Sequence, residues 1–473
     1  MIFHIAKKEI LELVRDGRLR WLGALMALLL IAAFSLGWVE QKRVGSERAE
    51  ALLEERENWL EQGDKNPHGA SHDGMHVFKP LSPLAFFDPG VDGYLGTSVK
   101  LESHRQNHIE HPPAADFGGL QRFGAITPAF LLQSMAPLLL ILAAFAAFAG
   151  EREQGTLRQA LSCGASPMAL LGGKFLAVIA VVGGVLVLAL LGAVALVLMQ
   201  GTSTGGGTEV GRLLVLALGY ALYCAGFVAL TLAVSARVRA ARSALVIMLG
   251  FWALTVFVAP RLMPHVVRSV VTLPSLQEFD HALRQGLSTV PDGHNTQDAY
   301  IQERVHKLLI KHNVMHPADL PFNIHGLIMQ EGEERSIPII DRHFGSLWDR
   351  IDKQTRVRLW FGLLAPSLAI ESFSMSLSGT DFAHHRDFAK AAEKQRRILI
   401  QTLNDDMMNN SKFGDHGYVA TREVWERVPE FQYKTPDSGW ALRQSRLSFV
   451  LLLIWAGATG ALAFFAVRRL QPL

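Results

Sequence analysis

Histidine is the residue type whose spacing in this sequence most directly suggests chemistry. His104, His108 and His111 follow one another at i, i+4 and i+7, which would place three imidazoles on one face of a helix, and His72 and His76 repeat the i, i+4 spacing. Neutral imidazole is a common ligand of zinc and copper, so these faces are candidate metal sites. The two prolines that follow would shorten the first helix, and no cysteine joins the set. We therefore interpret these residues as solvated surface histidines, with a metal site as the alternative.

Two short motifs resemble those of enzymes but lack the neighbours that the chemistry needs. Gly173 and Lys174 have the order of a phosphate-binding loop, but Phe175 follows where Ser or Thr is required, and Met168 replaces the first glycine. Residues 201–205 match G-x-S-x-G, yet a membrane span precedes them and a run of glycines follows, instead of the strand and helix of a nucleophile elbow. We therefore expect no catalytic residues and no cofactor on this chain.

The composition is that of a membrane protein with a large soluble part. Hydrophobic residues make up 49% of the 473 positions and occur in blocks, while charged residues make up only 19%, below the roughly 25% of soluble proteins. The net charge of +3, with no basic patch among aromatic residues, does not indicate nucleic acid as a partner. Six blocks are apolar enough to span a bilayer as helices; they are residues 21–38, 126–150, 175–199, 213–236, 243–260 and 447–467.

Arginines at the ends of these spans predict the topology. Arg15, Arg18 and Arg20 precede the first span, three arginines lie between the fourth and fifth spans, and two follow the sixth. By the positive-inside rule both termini are cytoplasmic. Residues 1–20 alternate apolar and charged positions at helical spacing, which predicts an amphipathic helix on the membrane surface, with a solvated helix as the alternative.

Two long hydrophilic segments, residues 39–125 and 263–445, are extracytoplasmic in this topology. The first starts with a charged stretch free of proline, which predicts that the helix of the first span continues; the rest, rich in Pro, Gly and His, indicates an ordered loop. The second has helical periodicity at 276–309, 344–363 and 381–407. Neither segment has a core of its own. We predict an all-α membrane protein with six transmembrane helices and a mainly helical extracytoplasmic domain built from the two insertions.

A short charged segment, residues 151–174, lies between the second and third spans and must face water. Gly155 and Thr156 can end one helix and cap the next, and a small helix lying flat on the bilayer would run on to Pro167. The order of an acidic residue, Gly-Thr-Leu and Gly-Lys resembles the coupling region of type-2 ABC exporter permeases, which docks on a separate ATPase subunit. A solvated turn is the alternative. The residues that the resemblance assigns to ATPase coupling are Glu151, Glu153, Gly155, Thr156, Leu157, Arg158, Leu161 and Lys174, with the two leucines inserting into a groove of the partner.

A second stretch, residues 374–386, resembles a subgroup of these permeases that has a large extracytoplasmic insertion of unassigned role. Adjacent histidines on a helix point about 100° apart, so two of them cannot easily ligate one metal. We expect the acid and the arginine of this stretch to anchor the domain through hydrogen bonds. The residues of this extracytoplasmic motif are Gly379, Thr380, Asp381, His384, His385 and Arg386.

The resemblance implies a permease subunit of an ABC exporter in the cytoplasmic membrane of a bacterium. It implies a dimer of identical or related permeases, surrounded by lipid and bound to ATPase subunits that carry ATP and Mg²⁺. The pathway would lie near the first, second and fifth spans. Periplasmic partners follow only by analogy. One alternative is a non-transporting anchor whose external domain is driven mechanically. Another is a membrane-embedded enzyme, for which the spans offer few polar groups: Gln133, Ser134, Tyr220, Tyr223 and Thr231.

Overall fold

Among the residues that the structure describes, six helices are long and apolar enough to cross a membrane, as the sequence predicts. A computed structural model describes residues 1–115, 126–200, 206–291, 293–295, 297–415 and 417–470, so the G-x-S-x-G match at 201–205 lies outside the described residues. The bounds of the six helices are Gly17–Leu60, Pro128–Glu153, Pro167–Met199, Thr208–Arg237, Ala241–Val270 and Arg446–Val467.

The second and fourth spans form the centre of the bundle. In each of them 56% of the apolar stretch is buried inside the chain, against 22% in the first and third spans and 17% in the fifth. The fourth span (α9, Gly206–Arg237) packs closely along the sixth (α19, Arg446–Val467), where Gly226 lies beneath the ring of Trp455. The first, third and fifth spans therefore present most of their apolar surface outward.

Two spans contain a wide helical turn just before a proline. In the second span, the π-helical turn Leu131–Met135 separates α4 (Pro128–Phe130) from α5 (Ala136–Ala144), which begins with Pro137 in its first turn; α6 (Ala149–Glu153) follows. The fifth span repeats this arrangement. Since proline lacks an N–H and clashes with the carbonyl of the preceding turn, a wider turn at that point relieves the clash. The fifth span consists of α10 (Ala241–Ala253), the π turn Leu254–Val258 and α11 (Ala259–Val270), with Pro260 in the first turn of α11.

The N-terminal residues form an amphipathic helix, α1 (Ile2–Arg15), that lies against the start of the third span (α8, Pro167–Met199). Ile5 sits directly over Gly173, where a Cβ atom would come within 2.5 Å of the isoleucine side chain. Asp16 then caps α2 (Gly17–Leu60) by accepting a hydrogen bond from the backbone N–H of Arg18. Because Gly173 has no side chain, α1 can approach α8 closely.

The first insertion contains a small sheet that the sequence did not predict. The helix of the first span continues to Leu60, as expected, and α3 (Pro67–Asp73) follows. Three antiparallel strands then pair in the order β1-β2-β3, with Met75 opposite Leu101 and Val77 opposite Val99. The strands are too short for their alternation to stand out from a loop. They are β1 (Met75–Phe78), β2 (Ser98–Glu102) and β3 (Arg105–Gln106), followed by the 3-10 turn Pro113–Ala115.

The second insertion is helical, as predicted, but its helices differ from the predicted segments. The periodic stretch 276–309 is divided into two helices by a loop, and the stretch 344–363 is the end of a much longer helix. The helices are α12 (Leu276–Leu287), α13 (Ala299–His312), α14 (Ile324–Trp360), α15 (Pro366–Ser378), α16 (Phe382–Asn410), α17 (Arg422–Arg427) and α18 (Ser438–Gln444), with 3-10 turns at Pro317–Asp319 and Phe361–Leu363.

The two insertions share a hydrophobic core and so form a single domain, as predicted; we call it the insertion domain. The expectation that neither has a core of its own is wrong for the second insertion, which has buried clusters around Ile301 and Phe279. Trp59 of α2 packs edge-on against Trp425 of α17, with ring centroids 5.7 Å apart. Val77 and Val99 of the sheet lie in the same buried cluster as Phe388 of α16. The insertion domain therefore sits at one end of the bundle, and the charged segment 151–174 lies at the other end.

Candidate functional site

The charged segment 151–174 contains the end of α6, the short helix α7 (Thr156–Ser162) and the start of α8. Gly155 has φ 76°, a left-handed conformation that glycine adopts without strain, and it separates α6 from α7. Two sequence expectations are wrong here. The Thr156 hydroxyl donates to the Glu151 carbonyl, 3.2 Å away, and so completes the end of α6 instead of capping α7. Pro167 does not end the small helix but begins α8, for which Ser166 is the cap.

A buried ion cluster fixes this segment to the rest of the bundle. The Lys174 side chain is only 1% exposed, and its Nζ lies 2.8 Å from Oε1 of Glu151 and 2.8 Å from Oε1 of Glu9. Lys8 lies 3.5 Å from the same oxygen of Glu151. A buried ammonium is tolerated when carboxylates compensate its charge. Lys174 and Glu151 therefore join α8, α6 and α1, and the Lys174 side chain is too deeply buried to contact another protein.

Arg152 makes a second attachment that the sequence analysis did not identify. Its two terminal nitrogens donate to the carbonyls of Ala236 and Val238, at 2.8 and 2.6 Å, at the end of α9. The Ser235 hydroxyl accepts from the backbone N–H groups of Phe148 and Ala149, at 3.0 and 3.1 Å. The Arg152 bonds satisfy carbonyls that the end of α9 leaves without an intrahelical partner, and the Ser235 bonds satisfy backbone N–H groups at the start of α6. The segment is thus attached to the central fourth span.

The outward side of α6 and α7 is polar and accessible. Leu157 is 4% exposed and belongs to the core of the bundle, and Leu161 is half-buried, so neither projects outward as the groove-insertion prediction requires. Since a buried leucine holds its helix in place, α7 is anchored through its apolar side. We name the exposed set the coupling surface; it consists of Glu153, Gln154, Gly155, Thr156, Arg158, Gln159 and Ser162.

The extracytoplasmic motif lies where α15 ends and α16 begins. Gly379, with φ 75°, ends α15, and Asp381 caps α16 by accepting from the backbone N–H of His384 at 3.0 Å. The same carboxylate oxygen lies 2.6 Å from Nδ1 of His384. Thr380 donates its hydroxyl to the Asp88 carbonyl at 2.9 Å. These bonds tie the second insertion to a loop of the first.

The remaining two motif residues hold the packing around this junction. Arg386 forms ion pairs with Asp349, at 3.0 Å, and with Asp352 of α14. His385 is buried, and this burial, together with the charge of Lys79, lowers the pKa of His385 to about 3. The imidazole is therefore neutral. These contacts are of the anchoring kind that the sequence suggested for the acid and the arginine of the motif.

The helical face predicted for His104, His108 and His111 does not form. His104 lies in the turn between β2 and β3 with φ 67°, and His111 has φ 58°, so both residues have left-handed backbone conformations that interrupt a helix. His108 lies 3.0 Å from the carboxylate of Asp280, and His111 contacts Ser98. His76 is on β1, opposite Lys100 in the sheet. The structure instead gathers four histidines from separate segments: His68, His72, His104 and His294.

The polar side chains inside the bundle bond to one another. Gln133 donates to the Tyr220 hydroxyl at 3.0 Å, and this hydroxyl donates to Ser374 of α15 at 3.1 Å. Tyr223 donates to the carbonyl of Gln133 at 2.8 Å. Thr231 donates to the carbonyl four residues back, as hydroxyls inside helices commonly do. The bonds of Gln133, Tyr220 and Tyr223 cross-link the second and fourth spans and α15, a helix too short to span the bilayer.

Six apolar helices among the described residues, a polar segment fixed by buried ions at one end and a soluble domain at the opposite end define a multi-pass membrane protein. A family model described as ABC-2 family transporter protein matches residues 3–316, and the chain belongs to this family. A second model, a domain of unknown function (DUF3526), matches residues 276–434, which include the extracytoplasmic motif. No curated protein matches the sequence significantly. Membership in this family supports a permease role and, in general, an ABC ATPase as partner.

Proposed function

We propose that the chain is the permease subunit of an ABC exporter that moves an unidentified substrate across the cytoplasmic membrane of a bacterium. The coupling surface is the docking site of a separate ATPase subunit, which binds the ATP and Mg²⁺. The observation that carries this proposal is the pairing of an exposed polar helix face with buried attachments behind it. Glu153 and Arg158 are exposed on that face, while Lys174 and Leu157 hold its opposite side.

The attachments give the docking site a route into the spans. A push on α7 reaches α6 through the turn at Gly155, the third span through Lys174, and the fourth span through Arg152. The second and fourth spans are the most buried part of the bundle. Rigid elements joined by ion pairs and hydrogen bonds transmit such displacements because packed interiors resist compression. ATP-driven movement of the ATPase would therefore rock the spans as a group.

The outward surface of the bundle supports a dimer. The first and fifth spans bury only 22% and 17% of their apolar stretches within the chain, so lipid and a second permease, identical or related, cover the rest. The pathway lies between the protomers near the first, second and fifth spans. Arginines cluster at the end of the bundle that carries the coupling surface, which favours cytoplasmic termini by the positive-inside rule. The insertion domain then lies in the periplasm, where it can contact periplasmic partners.

Co-purification in mild detergent tests this proposal. The variant combines Glu153→Lys with Arg158→Glu, since both side chains are exposed and neither supports the fold. We expect an ATPase with a phosphate-binding loop to accompany the wild type and to be lost from the variant, because reversed charges on an interface become repulsive. The matched control, Glu57→Lys with Arg350→Glu, makes the same charge changes on exposed positions of the insertion domain and keeps the ATPase.

The outcomes also separate the alternatives. An ATPase that is retained by the charge-reversed variant contradicts docking on the coupling surface. If no ATPase accompanies any form, the exporter proposal loses its energy source, and the membrane-embedded enzyme becomes the better explanation. A non-transporting anchor shares the docking site, so vesicles with both subunits are needed to see whether ATP hydrolysis moves a substrate across the membrane.

A further inference from the structure

Four histidines that lie far apart in the sequence meet on the insertion domain. One ring nitrogen from each of His68, His72, His104 and His294 lies within 4.8 Å of the corresponding nitrogen of every other. We call this set the histidine cluster. Ring nitrogens are attractive to metal ions because each neutral imidazole offers one lone pair. Four such lone pairs directed at one small volume make a set of ligands with the count that zinc prefers.

Each histidine is placed by a separate feature of the fold. His68 and His72 lie one turn apart on α3, which starts at Pro67 and is capped by the Asn66 side chain at 3.0 Å. His104 is turned toward them by its left-handed backbone between β2 and β3. His294 comes from the loop between α12 and α13. The cluster therefore unites three residues of the first insertion with one of the second.

Two of the nitrogen–nitrogen distances are close to those of a tetrahedral site, and all of them are within 4.8 Å. Nε2 of His68 lies 3.1 Å from Nε2 of His72 and 3.1 Å from Nε2 of His294. Zinc–nitrogen bonds of about 2.0–2.1 Å place the nitrogens of a tetrahedral site about 3.3–3.4 Å apart. The His104 and His294 ring centroids are 4.5 Å apart, and those of His68 and His72 are 4.6 Å apart. The four rings therefore lie close together around one small volume.

A buried carboxylate orients one of these rings. Nδ1 of His104 lies 3.4 Å from Oε1 of Glu333, which also accepts the backbone N–H of His104. Glu333 is held in turn by Arg396, at 3.1 Å. A carboxylate that engages one imidazole nitrogen directs the other nitrogen toward the metal and raises its basicity. The Ser71 hydroxyl donates to Ser103 at 3.0 Å and fixes α3 against the turn that carries His104.

We propose that the histidine cluster binds one Zn²⁺ ion in tetrahedral geometry and thereby fastens the first insertion to the second. Four protein ligands leave no open position for a substrate, so the ion acts structurally. His72 and His294 are exposed, which gives the ion a path from solvent. The extracytoplasmic motif and the shared core also join the two insertions, so the domain folds without the ion and gains stability with it.

The test uses the full-length chain in detergent, purified through an affinity tag without histidine, stripped with a chelator and equilibrated with ZnCl₂. Elemental analysis after dialysis should give roughly one zinc per wild-type chain. The variant His72→Ala with His294→Ala should bind zinc on the order of tenfold or more weakly. The control, His281→Ala with His316→Ala, also removes two exposed histidines and should retain the ion.

Cobalt gives a second readout that depends on geometry. Co²⁺ in place of zinc should show the intense visible absorption of a tetrahedral nitrogen site in the wild type and the control, and lose it in the cluster variant. Zinc retained by the cluster variant, or only the weak absorption of octahedral Co²⁺ in the wild type, would overturn the proposal. Thermal unfolding of the stripped variants establishes that loss of binding is not loss of folding.

Discussion

Substitution of Lys174 by methionine is the sharpest structural test of how the coupling surface is held. The change keeps the length of the side chain but removes the ammonium that lies 2.8 Å from both Glu9 and Glu151. Two carboxylates, with side chains 14% and 18% exposed, then face each other across a buried space. Lys8 remains nearby, but it is 55% exposed and compensates little.

The expected cost follows from the burial of the cluster. Removing one partner of a buried ion pair destabilises a protein by about 3–5 kcal/mol, because a charge is left without compensation. The two carboxylates retain some contact with water, so we expect about 3 kcal/mol for Lys174→Met. The triple variant Lys174→Met, Glu9→Gln, Glu151→Gln has no charge left to bury and should recover most of this loss.

The two cysteines provide the assay. Cys224 is buried in the fourth span and Cys163 is exposed, so in a Cys163→Ser background a thiol-reactive dye reports unfolding of the bundle through Cys224 alone. Denaturant titrations then give the free energy of unfolding of each variant. The control Lys7→Met removes an exposed lysine of α1 and should stay within about 0.5 kcal/mol of the parent. A Lys174→Met chain as stable as the control, or a triple variant less stable than the single one, would refute the reasoning.

Two further predictions concern packing and pH. Gly226→Ala should destabilise the bundle strongly, since its Cβ would lie 2.0 Å from Nε1 of Trp455, whereas Gly460→Ala on α19, with nothing within 4 Å, should be tolerated; the Cys224 assay compares them. Burial raises the pKa of the Asp381 carboxyl, but the hydrogen bonds and charge of His384 lower it more. The pKa of Asp381 is therefore below its ordinary value. A lowered folded pKa stabilises the chain above about pH 4 and loses that effect as the pH falls. Asp381→Asn should therefore be less stable than wild type at pH 7, with the difference shrinking in acid; a constant difference contradicts this.

The bundle could be predicted because its signals are local. Each span is a continuous apolar block of the sequence, long enough to be recognised without knowledge of distant contacts. The continuation of the first helix to Leu60 was equally visible, since no proline or glycine run interrupts the charged stretch. The sheet could not be predicted, because strands of four, five and two residues are too short to show a clear alternation of apolar and polar positions.

The parts of the site that escaped prediction depend on contacts between distant residues. Lys174 was expected to contact the ATPase, but its partner Glu9 lies on another helix, and no local pattern shows that the lysine is buried. The i, i+4, i+7 spacing of His104, His108 and His111 indicated a helix. The left-handed backbone conformation of His104 prevents that helix from forming. The histidine cluster needs His294 from the other insertion, so only His68 and His72 had a local signal, at i and i+4.

Site-specific photo-cross-linking in native membranes tests the central claim most directly. A photoreactive residue replaces Arg158 on the coupling surface or, as a control, Arg350 on the insertion domain, both of which are exposed. We expect position 158 to cross-link to an ATPase with a phosphate-binding loop, identified by mass spectrometry, and position 350 not to do so. An ATPase captured from position 350, or from neither position, would contradict it.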